Sequence, residues 1–119
     1  MDRPHMIDKQ GPQESQSLLE LRSGREGDTH TLYLGGELDA ASAAALSREL
    51  DWIELRDAKA QVLDLSALTF IDSAGLSLLV RASSDFGRDE RPLRVVGARG
   101  QVRAVLERTG VSESLDLED

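Results

Sequence analysis

The chain has 119 residues, which is room for one domain whose single hydrophobic core can fold without staples, and it has no cysteine, which excludes disulfides, thiolate catalysis and thiol redox sensing. Its formal net charge of −8 argues against sequence-independent binding of nucleic acid and against docking on anionic lipid; an acidic surface suits a basic protein partner instead. Aromatic residues are limited to Tyr33, Trp52, Phe70 and Phe86, so aliphatic side chains must build the core.

Residues 1–16, MDRPHMIDKQGPQESQ, are polar, hold two of the three prolines and show no periodicity, so they read as a disordered tail. The domain is expected over residues 17–119. Leu18, Leu19 and Leu21 begin a strand, turn chemistry follows over Ser23–Asp28, and Thr29–Leu34 alternates as a second strand that Gly35-Gly36 would end. Asp39 stands where a helix N-cap belongs, ahead of Ala43, Leu46, Leu50 and Ile53 at near-helical spacing. Val62–Leu65 reads as a buried central strand, with Leu68, Phe70 and Ile71 in its exit loop. A second helix presents Leu76, Leu79, Val80 and Ser83 on one face and can close at Gly87. Leu93, Val95 and Val96 form a fourth strand. Val102, Val105, Leu106 and Thr109 form a third helix with Gly110 at its C′ position, and Leu115–Leu117 a last short strand. The order β-β-α-β-α-β-α-β predicts an α/β fold with a single mixed sheet of four or five strands, a hairpin first and mostly parallel pairing thereafter, with packed helices.

Most enzyme templates lack their residues. The histidines are His5, in the tail, and His30, at a strand start and read as a plain surface residue; neither is placed against a nucleophile. There is no G-x-x-x-x-G-K-[ST], Gly97 and Gly100 make no dinucleotide fingerprint, and the acidic stretch Glu113–Asp119 is ordinary solvated surface, so no catalytic residue, metal site or cofactor is expected. No apolar run is long enough to span a bilayer and the start has no signal-peptide pattern, which reads as a cytoplasmic protein.

The segment FIDSAGLSLL, Phe70–Leu79, stands out as a strand-to-helix join at the carboxyl end of the sheet, where open α/β folds place their binding sites and a helix start offers free N–H groups. Ser73 sits at that join. Either Asp72 or Ser73 can simply cap the helix. A functional reading asks for a small, exposed hydroxyl on a rigid turn, with Gly75 leaving space for another backbone or a bulky group to approach.

GGELDAASA (Gly35–Ala43) and DLSALTFIDSAGLSLL (Asp64–Leu79) resemble the two signature segments of STAS domains, and the element order is similar to that family from Ser17 onward. The resemblance is to the anti-sigma-factor antagonist branch. It implies a protein that binds an anti-sigma factor with GHKL-type serine kinase activity, frees the sigma factor, and is switched off when the kinase phosphorylates Ser73; a phosphatase is a further implied partner. Asp39 falls on the aspartate that contributes to partner contact or phosphorylation, Asp72 precedes the switch serine, Ala74, Gly75 and Leu76 occupy the matching positions at the helix start, and Ser42 is a rim contact. The family usually adds one helix after its last strand; the sequence given stops at Asp119, so that helix is either absent or cut off. The alternative within the same fold is a non-switching scaffold module, stressosome-like or transporter-associated, using the same surface for protein contact.

Overall fold

The computed structural model describes residues 18–54, 59–88, 93–109 and 116–118. Its elements run β1 (Leu19–Glu26), β2 (Thr29–Leu38), α1 (Ala40–Glu54), β3 (Ala60–Ile71), α2 (Ser73–Arg88), β4 (Leu93–Val96), α3 (Gly100–Arg108) and β5 (Asp116–Glu118). They form one five-stranded sheet in the order β1-β2-β3-β4-β5. β1 and β2 pair antiparallel, and every later pairing is parallel. The mixed α/β sheet expected from the element order is the one observed. The tail, Gly110 and Leu115 lie outside the described residues.

The strands are longer than local turn chemistry suggested. Ser23, Gly24, Arg25 and Glu26 continue β1 because Leu32, Thr31, His30 and Thr29 lie opposite them; only Gly27 and Asp28 turn, Gly27 at a φ of 61° that suits a residue without a Cβ. The Asp28 carbonyl oxygen then accepts from the N–H groups of Lys59 and Ala60, at 2.9 and 3.0 Å, which stitches the hairpin tip to the start of β3. Gly35-Gly36 does not end β2. Gly36 has a φ of 86°, and a Cβ there would fall on the Leu18 carbonyl oxygen, so this pair bends a strand that runs on to Leu38.

β3 likewise runs through its supposed exit loop. Between Tyr33 and Gly35, and again between Gly36 and Glu37, β3 spends one more residue than β2, moving from Asp64 to Ala67 and from Leu68 to Phe70. These two bulges put Leu65, Leu68 and Ile71 inward at a spacing of three. Nor is β3 buried on both faces. Leu63, Leu65 and Gln61 are buried while Val62, Asp64 and Ser66 are not, and β2 and β4 alternate in the same phase. The helices therefore cover one face, as right-handed crossovers in a sheet of sequential strand order require. On the other face Arg22 lies 5.4 Å from the Tyr33 ring centroid.

Leu32, Leu34, Leu38, Leu63, Leu65 and Val95 meet Leu46 and Leu50 of α1, Leu79 and Phe86 of α2, and Val102 and Leu106 of α3 in a single core. α2 buries Gly75, Leu78, Leu79, Ala82 and Phe86, whereas Leu76, Val80 and Ser83 are only half-buried, so its inward face is turned from the one expected. The helix also continues through Gly87 to Arg88. Of the last strand, expected over Leu115–Leu117, the described residues form β5 at Asp116–Glu118. His30, expected at the surface, is 2% exposed because it falls on the inward phase of β2 opposite Gln61.

Candidate functional site at the α1 and α2 N-termini

β2 and β3 are adjacent parallel strands whose last register pair is Leu38 with Ile71. Asp39 and Asp72 therefore follow equivalent strand ends, and the helices they begin start side by side. Each aspartate caps its own helix. Asp39 Oδ1 accepts from the Ser42 N–H at 3.1 Å, and Asp72 Oδ1 accepts from the Gly75 N–H at 3.0 Å. Asp72 does more: its Oδ2 accepts from the Ala40 N–H at 3.2 Å, so one carboxylate ties the first turns of α1 and α2 together. The Asp72 N–H donates to the Leu38 carbonyl oxygen at 3.1 Å, and Thr69 Oγ1 to that of Gly36 at 2.9 Å, fixing the strand ends beneath.

Ser73 occupies the first position of α2, is exposed, and its hydroxyl makes no hydrogen bond among the described residues. The choice left open between Asp72 and Ser73 as cap thus falls to Asp72. Ser42 has the opposite environment. It is 0% exposed, accepts from the Asp39 N–H at 3.0 Å, and its proton is within reach of Asp39 Oδ1 (3.1 Å) and the Glu37 carbonyl oxygen (3.2 Å). A rim contact needs solvent-facing surface, so Ser42 is corrected to an internal capping residue.

Gly75 is also buried, and the group that approaches it belongs to this chain. A Cβ there would lie 2.7 Å from Leu38 Cγ and 2.9 Å from the Leu38 carbonyl oxygen, so the missing side chain serves the packing of α2 on β2. Of the two approaches expected at Gly75, the one observed is that of another backbone, Leu38 with its side chain, and the space is thereby filled. Leu76 is half-buried and packs against the core. Ala74 is half-buried and, with residues such as Ala43, Ser47, Ser77 and Arg81, lines a shallow groove between α1 and α2. Of the expected contact residues, Ser73 is therefore exposed, Asp39, Asp72, Ala74 and Leu76 are partly accessible, and Ser42 and Gly75 are internal.

Gln101 was missed. Its side-chain amide pairs with Ile71, one residue before Asp72. No local spacing announces a partner 30 positions distant. Among the described residues no group of three or more His, Asp or Glu side chains is placed to hold a metal ion, and no helix is long and apolar enough to cross a membrane.

The chain is similar to known anti-sigma factor antagonists. The anti-sigma-F factor antagonist RsfB of Mycobacterium tuberculosis is 39% identical over 71 residues, which is 60% of this chain and 57% of that protein. The anti-sigma-B factor antagonist of Listeria monocytogenes is 23% identical over 95 residues, covering 80% of this chain and 83% of its own. The crystal structure of an anti-sigma factor antagonist from Mycobacterium paratuberculosis superposes with a TM-score of 0.76 at 28% identity, over 83% of this chain and 84% of that one. The STAS domain model matches residues 24–119, both signature segments included, and the chain belongs to the STAS domain family.

Proposed function

We propose that this STAS chain is an anti-sigma-factor antagonist. It docks the Ser73 end of its sheet on an anti-sigma factor with GHKL-type serine kinase activity, which frees the sigma factor for transcription in the cytoplasm, and phosphorylation of Ser73 by the same kinase ends the contact. A phosphatase that removes the phosphate resets the switch. One observation carries the reading: the Ser73 hydroxyl is exposed and unbonded at a helix start where Asp72 already does the capping. A serine kept for capping would spend its oxygen on the Gly75 N–H. The likeness to anti-sigma factor antagonists supports the antagonist role.

The switch follows from charge and space. In the transfer, Ser73 Oγ bonds to the γ-phosphorus of ATP as the bond to the ADP oxygen breaks, and the hydroxyl proton passes to a base on the kinase. The product carries roughly −1.5 to −2 charge on a helix start that Asp39 and Asp72 already make acidic. Like-charge repulsion and desolvation inside a packed interface are worth on the order of 2–5 kcal/mol. That is about thirty- to several-thousand-fold in affinity. The α2 dipole opposes this by up to about 1 kcal/mol, and the Gly75 N–H is already taken by Asp72, so the phosphate gains little inside the domain. Affinity changes while the fold does not.

The test is to incubate the chain with the anti-sigma kinase and ATP, map the phosphate by mass spectrometry, and measure affinity before and after. Ser73→Ala should bind as the unmodified chain does and resist inactivation by ATP. Ser73→Asp and Ser73→Glu should bind more weakly, but less so than the phosphoprotein, since a carboxylate brings only about −1 charge. Phosphate on another residue, or affinity unchanged after full modification at Ser73, would remove the switch and leave the non-switching scaffold reading.

A further inference from the structure

β4 is too short to accompany β3 to its end. Its last pair is Val96 with Asp64, so from Leu65 to Ile71 the edge of β3 that faces away from β2 has no strand paired to it among the described residues. Main-chain groups on such an edge still need partners. The residues that follow β4 supply them with side chains. The Arg99 guanidinium donates from Nε and Nη2 to the Ser66 carbonyl oxygen, both at 3.2 Å. Gln101, in the first turn of α3, lays its amide along Ile71: Oε1 accepts from the Ile71 N–H at 3.0 Å, and Nε2 donates to the Ile71 carbonyl oxygen at 3.1 Å.

A side-chain amide offers one donor and one acceptor in the same plane, as a peptide unit does. Gln101 thus completes for Ile71 the ladder step that β4 does not reach. On the opposite edge the Asp72 N–H is bound to the Leu38 carbonyl oxygen at 3.1 Å. The chain is held from both sides immediately before Ser73, whose own hydroxyl holds nothing. The position of Ser73 is therefore inherited from Ile71 and Asp72.

We propose that Gln101 is the positioning residue of the Ser73 turn: by pairing with both main-chain groups of Ile71 it fixes the direction in which β3 delivers Ser73 to the kinase. This rests on Ser73 being the phosphoacceptor. Phosphoryl transfer needs the hydroxyl in line with the bond that breaks, and a displacement of about 1 Å costs up to roughly a hundred-fold in rate. Gln101 acts through Ile71: it makes no hydrogen bond to Ser73 among the described residues and takes no part in the transfer itself.

The experiment compares the whole chain as wild type, Gln101→Ala and Gln101→Glu by two readouts. Amide hydrogen exchange by NMR reports on the turn without any partner, and kcat and KM for phosphorylation by the anti-sigma kinase report on presentation. Gln101→Ala should lose protection at Ile71 and exchange faster over Asp72–Gly75, with Leu34 and Leu79 unchanged. Its kcat should fall roughly ten- to a hundred-fold, with KM little altered. In Gln101→Glu an ionised carboxylate sets an oxygen against the Ile71 carbonyl, whereas the protonated acid restores the donor. Pairing therefore raises the carboxyl pKa, is present at low pH and is lost as pH rises through that raised value. The Ile71 protection factor, corrected for intrinsic exchange, should recover on acidification. A Gln101→Ala chain with turn amides as protected as in wild type overturns the proposal, and so does one with an exposed Ile71 and an unchanged kcat. Failure of the wild-type chain to accept phosphate at Ser73 instead removes the proposed function, and exchange over Ile71–Gly75 then decides whether Gln101 orders the turn.

Discussion

The two strand-to-helix junctions of this domain are built on one plan and finished differently. At the end of β2, Asp39 caps α1 and the serine three residues on, Ser42, is buried with its oxygen engaged by Asp39 and Glu37. At the end of β3, Asp72 caps α2, the residue three on is Gly75, and the serine is moved to the first helical position. A side chain at the third position folds back over the cap, while one at the first position points out of the helix start. Position along the first turn, with the same residue type, decides whether a hydroxyl belongs to the fold or is left for a partner.

The largest effect expected is at Gly75. Gly75→Ala would force a methyl onto Leu38, with its carbonyl oxygen 2.9 Å away. Such overpacking costs about 1–3 kcal/mol, and the helix-propensity gain of about 0.5–1 kcal/mol offsets only part of it. Thermal unfolding should show a melting temperature lower by several degrees, on the order of 4–8 °C for each net kcal/mol. A variant as stable as wild type would mean that α2 does not rest on β2 this closely.

Asp72→Ala comes next, because it removes the α2 cap and the link to Ala40 together. A loss of about 1–2 kcal/mol is expected in denaturant unfolding. Faster amide exchange should appear at both Ala40 and Gly75; a change at Gly75 alone would break the claim that one carboxylate serves two helices.

The two serines make the comparison sharpest. Ser42→Ala leaves the Asp39 N–H without its buried acceptor and should cost about 1 kcal/mol. Ser73→Ala removes an exposed, unbonded hydroxyl and should stay within about 0.5 kcal/mol of wild type. Equal losses at both positions would show that Ser73 also caps. The smallest effect is expected at Asp39→Asn, which still caps and should shift stability by only a few tenths of a kcal/mol. If it keeps that stability but loses kinase binding, the Asp39 charge is part of the contact.

Much of the fold was legible because its signals are local. Apolar clusters separated by glycine and aspartate placed every strand and helix in order, and the α3 stripe of Val102 and Leu106 was read correctly. Boundaries failed where pairing overrode local preference. Leu65, Leu68 and Ile71 are three apart, which breaks the period of two and resembles a loop until the two β3 bulges are seen against β2. On α2, Leu76, Leu78, Leu79 and Val80 are all apolar, so periodicity could not choose the inward face. The packing chose it by resting Gly75 on Leu38.

By itself the sequence determined the α/β element order, the two aspartates at helix starts, and Ser73 as the hydroxyl to watch, because helix capping and strand alternation are written in neighbouring residues. Tertiary structure alone decided which serine is free, that Asp72 joins two helices, and that Gln101 stands in for a strand beside Ile71. Those contacts join residues some thirty positions apart, and they exist only because parallel pairing sets the ends of β2 and β3 side by side while β4 stops short.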